Sequence, residues 1–422
     1  MKKLVAFAEQ GFTVVSLMLF SGGPLPLILS GGAAVNEVEL SASSGDDHSW
    51  VKLLFLTIHV ISFFLLVVRW KKVIYALSKD KYIWVLTGLV LLSLFWSVAP
   101  SKTLVRGVAL VGTTLFGVYF ATRYSMIQQL QMLAWMFGIS IVLSLLFGVA
   151  LPQYGVVRDE VGINWRGIYI HKNILGAMMS LSSIIFFLLA IGAKRNRLPL
   201  WGGFSFSLIL VVLSTSKTSL LKVVQLLGLI LVCRTLRWQY NLMIPALMAV
   251  VTVGAIFYVW FTSNADAALG SIGKDATLTG RTDLWPLVWE IIWKHPWLGY
   301  GYGALWLDWD SETAYIWRTM RWSAPNSHNG FLELLLQFGI TGLLIFLLGF
   351  LTNLVKSLVW IRLSRLSECF WPVTYMVYTL LSNLTEASVM VQNDLLWVVF
   401  VTVNISFQTS FEESTEVIAK YS

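Results

Sequence analysis

"WSAPNSHNGFLELLLQFGITG", Trp322–Gly342, sets a histidine and two asparagines directly against the start of a long apolar run. That run continues to about residue 355, enough to cross a bilayer, which takes roughly 20 residues. The stretch therefore reads as the mouth of a membrane span. Similar apolar runs recur along the whole chain. Of 422 residues, 57% are hydrophobic and only 12% charged, against about 25% charged in a soluble domain. Mean hydropathy is +0.73. The chain reads as an all-α polytopic membrane protein.

About twelve spans are expected, at 11–31, 51–68, 82–98, 103–121, 128–150, 174–192, 199–214, 217–233, 241–261, 330–355, 369–387 and 393–409. Glu9 interrupts the first apolar stretch, so the start reads as a span rather than a signal peptide. Lys and Arg set the orientation. Lys2, Lys3, Arg69, Lys71, Lys72, Lys79, Lys81, Arg123, Lys194, Arg195, Arg197, Arg234, Arg237, Lys356, Arg362 and Arg365 all fall on one side. That side is expected to be cytoplasmic, with both termini. Topology thus accounts for the net charge of +8, and nucleic acid is not an expected partner. Cys233 and Cys369 fall near cytoplasmic span ends, where no disulfide is expected. The five histidines have no metal-ligand spacing.

The chain divides into spans one to nine (1–261), a long outward loop (262–329), and spans ten to twelve with a cytoplasmic tail (330–422). A loop of that length normally carries function or structure of its own.

The outward side gathers the polar chemistry in four places. "NWRGIYIHKNILG" (164–176) enters span six. "STSKTSLL" (214–221) turns between spans seven and eight, with Lys217 among hydroxyls. That is either a snorkelling lysine or an anion site at a helix N-terminus. "TGRTDLWPLVWEIIWKHPWLGYGYG" (279–303) opens a helix that Thr282 or Asp283 can cap, with Pro286 in its first turn. Arg281, Trp285, Trp289 and Trp293 recur every four residues as one stripe, suiting an amphipathic interfacial helix. "GYGYG" follows a helix, so it reads as a turn. In the fourth place, Asn326 or Ser327 can cap span ten. A lone His there is usually structural. Here the positive helix end and nearby cations favour a neutral imidazole that can accept a proton.

Cations, a histidine and aromatic faces at membrane level suit a lipid-linked pyrophosphate carrying a sugar. The cations hold the leaving group, the aromatic rings stack on sugar, and a base takes a proton from an incoming hydroxyl. Outward carboxylates are too few for a metal site, and no cofactor is expected.

"GRTDLWPLVWEIIWKHPWLGYGYGALW" followed by "NSHNGFLELLLQFGITGLLIFL" resembles the signature of the O-antigen ligase and O-antigen polymerase superfamily. "RGIYIHKNILG" and "STSKTSLL" resemble its ExoQ-like exopolysaccharide polymerase branch. The likeness covers roughly residues 160–345. It implies a GT-C-like membrane glycosyltransferase, metal-independent and inverting, in the inner (plasma) membrane. It implies transfer of a glycan from an undecaprenyl-pyrophosphate-linked oligosaccharide to an acceptor glycan, or to lipid A core, at the periplasmic face. Chain-length regulator and export proteins are further candidate partners. The likeness assigns catalytic roles to His328, Arg281 and Lys217. Ligases usually carry Arg where Lys217 stands, and Lys lacks the bidentate fork, which fits the ExoQ-like branch better. Arg166, Asn173, Asn329, Trp285 and Arg106 are candidate substrate-binding residues. A secondary transporter and a scaffold of an export complex are the rival readings. Transporters, however, place ionisable residues near the midplane in repeated halves.

Overall fold

The computed structural model describes residues 2–31, 49–159, 162–263, 281–307, 309 and 311–421. The acidic loop expected before span two and the first part of the long outward loop lie largely outside them. Thirteen helices carry the architecture: α1 Lys2–Phe20, α2 Ser49–Val68, α3 Lys81–Leu92, α4 Pro100–Arg123, α5 Met126–Ala150, α6 Lys172–Gly192, α7 Arg197–Leu213, α8 Lys217–Thr235, α9 Tyr240–Ser263, α10 Arg281–Lys294, α11 Gly330–Leu363, α12 Phe370–Asn383 and α13 Leu395–Tyr421.

Each of the twelve expected spans is met by one of these helices, α10 being the extra one. Eight are long and apolar enough to cross a membrane, so the chain is a multi-pass membrane protein. The counterparts at α3, α7 and α12 are shorter, and α9 is continuously apolar over Tyr240–Ile256. The first helix runs Lys2–Phe20 rather than 11–31. Pro24 and Pro26 follow it and interrupt regular backbone donation. The fold is not wholly helical. β1 (Val156–Asp159) and β2 (Gly162–Trp165) form an antiparallel hairpin, Val156 opposite Trp165, just before α6.

Helix α6 is the most enclosed span, and α2 is among the least. Exposed Leu53, Phe63, Phe64 and Val67 on α2 suit an acyl-chain environment, where apolar side chains gain nothing by turning inward.

The feature that positions the candidate site is a break in α11. Gly339 has φ 63° and ψ −162°, outside helical geometry, a conformation only glycine adopts without strain. The "GYGYG" segment fills the break. Tyr300 N donates to Leu336 O (2.8 Å) and Gly301 N to Gln337 O (3.0 Å). On the other side, Ile340 N donates to Pro296 O (2.7 Å) and Thr341 N to Trp297 O (3.3 Å). Four backbone groups freed by the break are thereby satisfied, as burial demands. The first nine residues of α11 become a short half-helix stitched to the long loop.

Candidate functional site

The half-helix is held on three sides. Asn329 is its N-cap, its Oδ1 accepting from Phe331 N (2.9 Å) and Leu332 N (3.1 Å). The expected caps serve elsewhere: Asn326 Oδ1 accepts from His328 N at 2.8 Å, and Ser327 donates to Glu333. Buried Glu333 gathers Ser327 N (3.2 Å), Ser327 Oγ (3.0 Å), Gln337 Nε2 (3.2 Å) and Trp306 Nε1 (3.1 Å). A buried carboxylate needs such a full set of donors, and this one fixes the loop immediately before His328.

Helix α10 lies against the same half-helix. Its Leu284, Val288, Ile291 and Ile292 pack in one cluster with Leu332, Leu335 and Leu336. The Trp stripe is therefore split. Trp285 turns inward and donates to Ser327 O at 3.1 Å, while Trp289 and Trp293 stay exposed and stack on each other. Pro286 stands five residues beyond Arg281, in the second turn rather than the first. The side chain of Thr282 lies outside the described residues.

His328 has φ 49°, a left-handed conformation that costs a non-glycine residue energy and clusters at functional sites. Its Nδ1 lies 3.2 Å from Oε2 of Glu386, and Arg281 donates to Oε1 of the same carboxylate at 2.9 Å. Glu386 thus joins the histidine of the half-helix to the arginine of α10. It sits in the loop after α12. Asn383 shapes that loop, its Oδ1 accepting from Ser388 N (2.9 Å) and Val389 N (3.1 Å). Gly330 lets the half-helix approach, since a Cβ there would overlap Asn383 Oδ1.

A fourth residue belongs to this group. Lys222 on α8 is buried, donates to Ser382 Oγ at 3.1 Å and lies 5.5 Å from the Tyr378 ring. Burial alone raises a carboxyl's pKa, but the His328 bond and the charges of Arg281 and Lys222 outweigh it. Together they hold Glu386 below the usual carboxylate range. An ionised carboxylate only accepts, so the hydrogen bond at this contact is donated by Nδ1–H of His328.

The other candidates lie apart. Lys217 begins α8 and is exposed; five residues of helix place it about 140° around from Lys222. Asn173 is exposed at the start of α6. Arg166 is buried after the hairpin, donating to Tyr154 O at 2.7 Å. Arg106 donates to Gly303 O at 2.6 Å and braces the inserted loop. Sequence reasoning named neither Glu386 nor Lys222 as a site residue; a charge inside or beside an apolar span was the available signal. Among the described residues, no three His, Cys, Asp or Glu side chains gather as a metal site.

Residues 202–347 match the model of a family described as O-antigen ligase. The chain is also 29% identical over 297 residues to the exopolysaccharide production protein ExoQ of Rhizobium meliloti (strain 1021). That match covers 67% of this chain and 66% of the relative, just under two thirds of its length. The two comparisons support the O-antigen ligase and polymerase superfamily and its ExoQ-like branch. The family match includes Lys217, Lys222, Arg281 and His328 and ends before Glu386.

Proposed function

We propose that the chain is a polysaccharide polymerase: a membrane glycosyltransferase that moves a glycan from an undecaprenyl-pyrophosphate-linked donor to an acceptor sugar hydroxyl at the outward face. The observation that carries this reading is the bridge from His328 through Glu386 to Arg281 at the mouth of α11. In this reading the bridge holds a proton acceptor beside the cations that would bind the pyrophosphate of a lipid-anchored donor.

In this reading Nε2 of His328 removes the acceptor hydroxyl proton, and the acceptor oxygen bonds to the anomeric carbon. The bond from that carbon to the phosphate oxygen breaks, its electron pair leaving with undecaprenyl pyrophosphate. A single displacement of this kind inverts the anomeric centre. Arg281 keeps donors beyond those used on Glu386, and with Lys217 and Lys222 it stabilises the charge developing on the leaving group. The exposed indoles of Trp289 and Trp293 offer faces for sugar rings.

Transfer to lipid A core is the second reading, favoured by the description of the matched family as O-antigen ligase. Purified protein incubated with an undecaprenyl-linked oligosaccharide separates them. A ladder of products identifies the polymerase, a single addition to lipid A core identifies the ligase, and no product removes both.

A further inference from the structure

A polar cavity lies at the other end of the bundle from His328. Lys356 is 26 residues beyond Gly330 on α11, roughly 40 Å along the helix at 1.5 Å per residue. Here the end of α11 meets α13 and the turn that leads into α3. The cavity has a volume of about 220 Å³ and is lined by Ser78, Lys79, Lys81, Tyr82, Thr352, Asn353, Lys356 and Gln408. That is many times the roughly 10–15 Å³ a single water requires.

Its floor is a closed polar network. Asn353 Nδ2 donates to Asp80 Oδ2 (2.7 Å) and to Asn404 Oδ1 (2.8 Å), and Gln408 Nε2 donates to Asn353 Oδ1 (3.0 Å). Asp80 also caps α3, accepting from Tyr82 N and Ile83 N. Three helices are thereby tied together by buried amides and one carboxylate. The walls are different. Lys79, Lys81 and Lys356 all line the cavity, and no carboxylate does. Lys79 pairs with Glu412 outside the lining. Lys356 makes a long bond to Gln408 Oε1, 3.4 Å, and its charge also acts on the Asp80 carboxylate of the floor. Lys81 lies over the Tyr82 ring at 5.3 Å. Each ammonium has three donors, so the walls can give several N–H bonds to one anion. Ser78 and Thr352 add hydroxyls.

We propose that this cavity is a phosphate-binding site, separate from the outward site and independent of the reading given to it. Its ligand class is a phosphate carried by an anionic lipid headgroup or a free phosphate. Basic pockets between spans on the Lys- and Arg-rich side recognise such headgroups through point charges and hydroxyls. The polar floor keeps the three helices at the spacing the group requires.

The test uses full-length protein in nanodiscs of phosphatidylethanolamine with and without phosphatidylglycerol. Native mass spectrometry reads retained lipid, and thermal unfolding is followed with added inorganic phosphate. The double variant Lys81→Gln/Lys356→Gln should retain about thirtyfold less phosphatidylglycerol, at roughly fivefold per cation. Lys356→Arg should retain it normally, which guards against misfolding. Lys71→Gln/Lys72→Gln, which removes equal charge outside the cavity lining, should also retain it. Stabilisation of wild type but not the double variant by inorganic phosphate assigns the site to free phosphate. Equal loss in Lys71→Gln/Lys72→Gln overturns the proposal, as does retention and phosphate response unchanged in the cavity variant.

Discussion

His328 Nδ1 lies 3.2 Å from Oε2 of Glu386, although 58 residues separate them in the chain. The contact brings together two loops that follow different helices, and it fixes which imidazole nitrogen faces outward. Carboxylate partners of this sort hold a base in one tautomer and orientation. Glu386→Gln keeps the shape and removes the charge. It should lower transfer by roughly 10²-fold with donor binding retained, measured by initial rates and equilibrium donor titration. Full activity in that variant would reduce Glu386 to a partner of Arg281 alone.

The cations are expected to act on the donor rather than on the base. Arg281→Ala and Lys222→Met should each cost about 3 kcal/mol in transfer, as loss of a charge-assisted contact in a sheltered site does. Lys217→Arg should keep measurable activity and Lys217→Ala should not. Normal turnover by Lys217→Ala would assign that exposed lysine to lipid phosphate, leaving Lys222 as the second cation of the site.

Acid should loosen the contacts around Glu386. Glu386 is held below its ordinary range, so its folded pKa lies under the unfolded value of about 4.3. Its contribution is therefore fully present above that value and is lost as pH falls through the folded pKa. Thermal unfolding between pH 3 and 7 should show this limb in wild type and a shallower one in Glu386→Gln. Parallel curves would place the acid sensitivity elsewhere.

Gly330→Ala tests the close approach of the half-helix to α12. The added methyl overlaps Asn383 Oδ1, the atom that shapes the Glu386 loop. Overpacking of this kind costs about 1–3 kcal/mol, and the melting temperature should drop with it. Activity should fall further than stability, because the displaced loop carries Glu386. A variant with unchanged rate and stability would mean the loop accommodates the methyl.

Transfer is also expected to proceed without a divalent cation, with Arg281, Lys217 and Lys222 supplying the charge that a metal provides in other glycosyl transfers. Rates in excess EDTA should match those of untreated protein. Loss of activity restored by Mg²⁺ or Mn²⁺ would contradict the charge-replacement account.

The spans were legible because an apolar run of about twenty residues has few other fates. The break at Gly339 was not. "FGITG" reads as uninterrupted apolar sequence, and the groups that satisfy the break come from residues 296–301, which local periodicity cannot reveal. His328 stood out as a polar residue at a span mouth and Arg281 as the cation opening the Trp-striped helix, their roles coming from the family likeness. Glu386 was hidden inside the expected span 369–387, whose helix in fact stops at Asn383. Lys217 stood out for its polar surroundings, yet Lys222, on an apolar stretch of the same helix, is the lysine that faces Ser382.

The pH dependence of transfer by purified protein, for wild type and His328→Ala on an undecaprenyl-linked oligosaccharide, tests the central claim most directly. The account predicts a wild-type kcat/KM that rises along an acid limb. His328→Ala should be slower by about 10²–10⁴-fold, lack that limb and bind donor normally. An unchanged limb in His328→Ala, with donor affinity lost instead, would contradict the base role and make His328 a ligand of the pyrophosphate.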